Sequence, residues 1–154
     1  MARRPNEPPR EPELTSKQLR LRINQLKECI AELEAFDPQK VNKRYSEPEV
    51  KALEASIEEA LAAAFGHATP TFGRYANAAK LDQGPHIMRT GGTWGGGHRV
   101  DYDVQDQADA RRYLMEGKPR SIALLQSAIK ALENRLKDFD FEAVVNRTGF
   151  AGDQ

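Results

Sequence analysis

Two apolar stripes with helical spacing lie near the two ends of this chain, and a glycine-rich stretch separates them. Both stripes alternate steps of three and four residues, the heptad pattern with which one helix packs along another. Their residues are Leu19, Ile23, Leu26, Ile30 and Leu33 in the first, and Ile122, Leu125, Ile129, Leu132 and Leu136 in the second. Residues 91–97, Gly-Gly-Thr-Trp-Gly-Gly-Gly, suit neither a helix nor a strand interior. We therefore expect a mostly α protein, a helical bundle or a coiled-coil hairpin, with a long glycine-rich loop.

Capping signals predict where the first two helices begin and end. Thr15 or Ser16 can cap the first helix, which should end near residue 36, just before Asp37-Pro38. Ser46 and Glu49 form a capping-box pattern ahead of a second helix. Gly66 lies just past the end of that helix, where a left-handed residue would close it.

The second half of the chain predicts two further helices. A short helical turn is expected around residues 74–81, and a third helix over about 104–116, ended by Gly117. Pro119 would then lie in the first turn of a long fourth helix, since proline suits that position.

The chain is expected to form one domain because it has 154 residues. Residues 1–14 hold four prolines among alternating charges and predict a disordered arm. Residues 15–139 are the helical domain, interrupted by an irregular insertion at 67–100, and residues 140–154 are a C-terminal tail. Irregular segments as long as this insertion are uncommon unless they are functional or disordered.

Composition narrows the classes of function and location. A formal net charge of zero argues against a nucleic-acid binder and leaves little repulsion against self-association, so a homo-oligomer is expected. Cys29 is the only cysteine, which excludes an intrachain disulfide and favours the cytoplasm. No apolar run approaches the roughly 18 residues of a membrane span, so no membrane association is expected.

Catalytic and metal-binding motifs are not recognisable in the sequence. His67, His86 and His98 lack the close pairing typical of zinc ligands. Cys29 fits an apolar helix position, and no Ser or Cys stands in a known nucleophile motif. We expect no metal, no cofactor and no enzymatic activity.

Binding candidates concentrate in the insertion and at the predicted start of the fourth helix. The insertion is locally basic, with Asp82 as its single acid, and it contains the only tryptophan. Trp94 is either a recognition residue exposed on the loop or a cover for the helices. The candidate binding residues are Arg89, Trp94, His98, Arg99, Lys118 and Arg120. They would bind a protein partner or, alternatively, a nucleotide, with Trp94 stacked on the base and cations on the phosphates. For Lys118 and Arg120, an ordinary tight turn between helices is the competing interpretation.

Four segments resemble a known family. They are Leu33-Glu34-Ala35-Phe36-Asp37-Pro38, Phe65-Gly66-His67-Ala68-Thr69, Leu81-Asp82-Gln83-Gly84-Pro85 and Gly117-Lys118-Pro119-Arg120-Ser121-Ile122-Ala123-Leu124-Leu125. Over residues 20–138 the chain resembles the helical region that precedes TIR-like nucleotide-binding domains in predicted bacterial defence proteins. The TIR-like domain is not in this sequence, so its activity does not carry over. The resemblance implies an accessory or sensing module of prokaryotic anti-phage immunity.

Overall fold

The computed structural model describes residues 7–86 and 102–148, and these residues are mostly helical, as predicted. The four α-helices are α1 (Ser16–Ala35), α2 (Pro48–Phe65), α3 (Pro70–Tyr75) and α4 (Tyr102–Thr148). Two short 3₁₀ helices follow α1 and α3, at Pro38–Lys40 and Ala76–Ala79. The described ranges contain no β-strand, and none of their helices is long and apolar enough to cross a bilayer.

Both ends of α1 are where the sequence predicts them. The Thr15 hydroxyl accepts from the Gln18 backbone N–H at 3.2 Å, and the Gln18 side chain accepts from the Thr15 N–H at 2.9 Å. This reciprocal pair satisfies two backbone donors that the first turn leaves without partners. Phe36, in extended backbone, ends the helix with its N–H on the carbonyls of Glu32 and Leu33.

The predicted capping box of α2 is wrong. Glu47, not Ser46, occupies the N-cap, and no side chain caps the helix there. The reason is Pro48 at the first helical position, because proline disfavours helical backbone in the residue before it. The Glu47 carboxylate instead accepts from the backbone N–H groups of Asn42 and Lys43. Gly66 closes α2 with φ 83°, as expected.

The prediction of separate third and fourth helices is also wrong. A single α4 of 47 residues runs through Gly117 and Pro119 and continues to Thr148. Residues 140–148 of the predicted tail are therefore helical. Gly117 does not end a helix; it is buried where α4 approaches the backbone of Leu81, and a Cβ there would overlap the Leu81 carbonyl oxygen. The glycine permits close approach rather than termination.

The described part of the 67–100 insertion contains helix. Thr69 caps α3 by accepting from the Phe72 N–H at 3.1 Å, and Pro70 occupies the first position. Helix thus begins earlier than the predicted turn at 74–81, because Thr-Pro acts here as a helix start rather than a loop signal. Residues 80–86 have no regular secondary structure. The glycine-rich stretch lies outside the described residues.

The helices pack with α1 against both α2 and α4, while α3 and the second 3₁₀ helix contact α2 and α4. Lys118 of α4 contacts the C-terminal end of α1. Further along α4, Asp140 Oδ1 lies 3.8 Å from Nη2 of Arg20, which is near the start of α1, so the two helices are antiparallel. The two predicted stripes contribute to one core. Its stripe residues are Leu19, Ile23, Leu26, Leu33, Leu125, Ile129 and Leu132, with Ile30, Ile122 and Leu136 partly buried beside them.

Residues 7–14 of the predicted arm are not helical, but they contact the helical core. The Glu11 carboxylate pairs with Arg135 of α4 at 2.7 Å. The Arg10 carbonyl and the Pro12 ring lie close to Gly66 at the end of α2. Residues 1–6 lie outside the described ranges.

Candidate functional site

A buried arginine joins three separate parts of the chain. Arg44 follows the first 3₁₀ helix, and its Nε and Nη2 donate to the two carboxylate oxygens of Asp82 at 2.8 and 2.9 Å. Its Nη1 donates to the Pro85 carbonyl at 2.9 Å, and its backbone N–H donates to Asp106 of α4 at 2.9 Å. We call Arg44, Asp82, Pro85 and Asp106 the Arg44 junction.

Aromatic rings complete the surroundings of this guanidinium. Its central carbon lies 4.5 Å from the centre of the Tyr113 ring and 4.7 Å from that of Tyr45. A planar guanidinium can stack on such rings while it binds a carboxylate with two parallel hydrogen bonds. The bonds to Asp82 raise the pKa of Arg44 despite the opposing effect of burial. The junction therefore holds a permanent positive charge whose three guanidinium nitrogens each donate a hydrogen bond.

Two glycines and a second arginine hold the segment 80–85 against α4. Gly84 lies against the face of the Tyr113 ring, where any Cβ would overlap it. Arg120 donates through Nη2 to the carbonyls of Leu81 and Lys80 at 3.2 and 3.4 Å. Together with Gly117 under Leu81, these contacts fix the segment that leads to the glycine-rich stretch.

Tyr45 is a large exposed side chain beside the Arg44 junction. Its side chain is half exposed, at 51%, and its ring centre lies 5.7 Å from that of His86. Its φ of 64° is in the left-handed region, which costs a non-glycine residue roughly 1–2 kcal/mol. Partial burial raises the pKa of Tyr45 above its ordinary value, although the charge of Arg44 opposes this. A strained, exposed aromatic on a rigid base is a typical binding feature.

The predicted cations of α4 are used within the fold. Lys118 Nζ donates to the carbonyls of Glu34 and Phe36 at 3.0 and 2.8 Å, at the end of α1. Arg120 binds the carbonyls of the 80–85 segment. Both were expected at the start of a fourth helix or in a tight turn between helices, and the structure has neither at this point because α4 runs through it without a break. Arg89, Trp94, His98 and Arg99 lie outside the described residues.

The two described histidines contact aromatic rings. The ring centre of His67 lies 5.1 Å from that of Phe72, and the ring of His86 lies beside that of Tyr45. Within residues 7–86 and 102–148, no group of three or more His, Cys, Asp or Glu side chains is placed to hold a metal ion.

Sequence reasoning missed Arg44 and Tyr45 because both lie in the connector between α1 and α2, residues 36–47, which has no periodic pattern. Asp82 offered the one usable signal, since it is the single acid in an otherwise basic segment and so was a candidate partner for a buried cation. Pairing it with Arg44, which is 38 residues away, required the tertiary structure.

In comparisons with known proteins, no family model, no curated protein and no solved structure matches this chain.

Proposed function

We propose that this chain is a helical interaction module that binds a partner protein through the surface around Tyr45 and His86. In this proposal the helices form a bundle, and the glycine-rich segment that follows His86 in the sequence is a loop. Tyr45 carries the argument, because it combines half exposure with a left-handed backbone. The fold retains this unfavourable conformation at a surface position where another residue would relieve it.

The Arg44 junction, which lies beneath Tyr45, supports this role. Arg44 holds the connector, the 82–85 segment and α4 together through four hydrogen bonds, so the ring of Tyr45 rests on a pre-organised base. Aromatic side chains held in this way dominate the free energy of many protein interfaces, because little conformational entropy is lost on binding.

The biological setting follows from the sequence resemblance. We propose a cytoplasmic accessory or sensing component of prokaryotic anti-phage defence, without enzymatic activity of its own. The two stripes do not support the expected homo-oligomer, because their residues pack in the core of one chain. The module we propose therefore acts through a different protein rather than through its own stripes.

The alternative function, nucleotide binding, has less support. It relied on Arg89, Arg99, Lys118 and Arg120 as phosphate ligands around Trp94. Lys118 and Arg120 donate to backbone carbonyls, and the other three residues lie outside the described ranges. The partner-protein interpretation uses a surface that is exposed as it stands, so we favour it.

The decisive experiment replaces Tyr45 with glycine. Glycine adopts φ near 60° without strain, so Y45G should keep or raise the melting temperature while it loses the aromatic contact. Leu21→Ala is the matched control, because Leu21 is equally exposed, at 51%, on α1. Wild type and both variants are used as bait in lysate of the source cells, and bound proteins are quantified by mass spectrometry.

A partner should bind wild type and L21A but not Y45G. Phage plating on cells that carry each variant gives the second measurement, and Y45G alone should lose protection. If Y45G retains every protein that wild type binds, Tyr45 is not the recognition residue and the proposal is wrong.

A further inference from the structure

A concave groove of about 420 Å³ lies between α1 and α2. We call it the α1–α2 groove; its lining residues are Gln25, Glu28, Cys29, Glu32, Ser56, Glu59, Ala60 and Ala63. On each helix these positions follow steps of three, one and three residues, so each helix contributes a single face. Neither Tyr45 nor any residue of the Arg44 junction lines it, so it is a second surface.

The side chains at the base of the groove are small. Ser56, Ala60 and Ala63 form one stripe of α2, and Cys29 of α1 lies opposite with its Sγ 3.8 Å from the Ser56 carbonyl. Small residues at helical spacing let the backbone of another helix approach closely, so this shape fits a third helix laid along the groove.

The walls of the groove are acidic. Glu28 and Glu32 lie one turn apart on α1, and Glu59 faces them from α2. No lysine or arginine is among the lining residues, although the whole chain has a net charge of zero. Burial and, to a smaller extent, the charges of Glu32 and Glu28 raise the pKa of Cys29 to about 11. Arg22 brings a cation to the edge of the groove, where its Nη1 donates to Gln25 Oε1 at 2.9 Å. One cation against three carboxylates leaves the groove acidic, so a cationic occupant complements its charge.

We propose that the α1–α2 groove binds a lysine- or arginine-bearing helix of a partner protein. Small apolar side chains of that helix would pack on Ala60 and Ala63. Its cations would flank this contact and pair with Glu28 and Glu32 on one side and Glu59 on the other. The complementarity of charge selects the partner, and the small residues at the base set how closely its backbone approaches.

The probe is a fluorescein-labelled helical peptide of about four turns, with an alanine and leucine stripe flanked by lysines. Binding to the full chain is followed by fluorescence anisotropy at low ionic strength. The triple variant E28Q/E32Q/E59Q should weaken binding at least about tenfold. The control triple E34Q/E58Q/E142Q removes the same charge from exposed carboxylates outside the groove, and it should leave the affinity within about twofold.

Two further measurements keep shape and charge apart. Ala63→Leu fills the groove without changing its charge and should also weaken binding. Cys29 is the only cysteine, so its rate of alkylation reports on the groove directly. Saturating peptide should slow that rate in wild type and not in E28Q/E32Q/E59Q. Y45G should bind the peptide like wild type, which separates a failure here from a failure of the proposed function.

Other outcomes overturn the proposal. Equal loss in both triple variants means general charge attraction, and no saturable binding means that the groove takes no basic helix. Without peptide, Cys29 alkylation could slow as the protein concentration rises, while light scattering shows a larger particle. That result would assign the groove to a second copy of the chain. Alkylation that speeds up when residues 1–6 are deleted assigns it to the chain's own N-terminus.

Discussion

The guanidinium of Arg44 and the carboxylate of Asp82 form two parallel hydrogen bonds of 2.8 and 2.9 Å, with only 4% and 10% of their side chains exposed. A buried charge pair of this kind contributes little net free energy, because desolvation offsets the attraction between the charges. Losing one partner is much more costly, because it leaves a buried charge without its counterion. The pair therefore enforces one geometry where the 80–85 segment meets the residues between α1 and α2.

Asp82→Asn should lower the free energy of unfolding by about 3 kcal/mol, because the Arg44 charge loses its buried counterion. Urea denaturation followed by circular dichroism measures the change. Glu116→Gln is the control, since Glu116 pairs with Arg112 at 3.6 Å on the exposed surface and should cost less than about 0.5 kcal/mol. Equal costs for the two variants would contradict a structural role for the junction.

Gly117→Ala should destabilise the protein even though alanine is the better helix former by about 1 kcal/mol. The added methyl group would overlap the Leu81 carbonyl oxygen, so α4 and the 80–85 segment must separate. Gly73→Ala provides the contrast, because nothing lies within 4 Å of its Cβ position in α3. We expect a lower melting temperature for G117A and an unchanged or higher one for G73A. A G117A protein as stable as wild type would mean that the close approach does not exist.

Lys118→Met should cost about 1 kcal/mol, because two carbonyls at the end of α1 lose a charged donor. Lys130→Met, at an exposed position of the same helix, should have almost no effect. Thermal unfolding compares the two, and nucleotide-dependent thermal shifts test the rival role. A nucleotide that stabilises wild type but not K118M would restore Lys118 as a ligand.

Glu54→Gln should stabilise the protein at pH 7 but not at pH 4. Burial raises the pKa of Glu54 above its ordinary 4.5, although the Leu81 N–H bound to its carboxylate partly opposes this. A raised pKa means that the folded protein favours the protonated carboxylic acid. The stability that comes from this preference is fully present below the ordinary pKa of Glu54, and it is lost as the pH rises through the pKa of Glu54 in the folded protein. Glutamine avoids the buried charge and can still accept from Leu81. Urea unfolding across this pH range checks the result; an E54Q effect that is the same at both pH values would show that Glu54 is not desolvated.

Some of this fold was readable from local chemistry. The stripes, the Thr15 cap and the closing glycine at 66 act within one or two helical turns, so each can be recognised without knowing the rest of the chain. These signals correctly predicted a mostly helical protein, both ends of α1 and the end of α2. Local chemistry misled at Ser46 and at Gly117-Lys118-Pro119, because the same residues also fit a helix end or a turn.

Tertiary structure decided the features that depend on distant partners. Gly117 looks like a helix terminator until Leu81 lies against it, since a glycine serves equally for a turn and for close approach. The sequence indicates a free cation at Lys118, whereas in the structure its Nζ donates to the Phe36 carbonyl at 2.8 Å, at the end of α1. Arg44 and Asp82 are 38 residues apart and belong to no periodic pattern, so only the packing of α1, α2 and α4 brings them together. Helical periodicity is a local property of the backbone, whereas the pairing of buried charges depends on which segments the core places side by side.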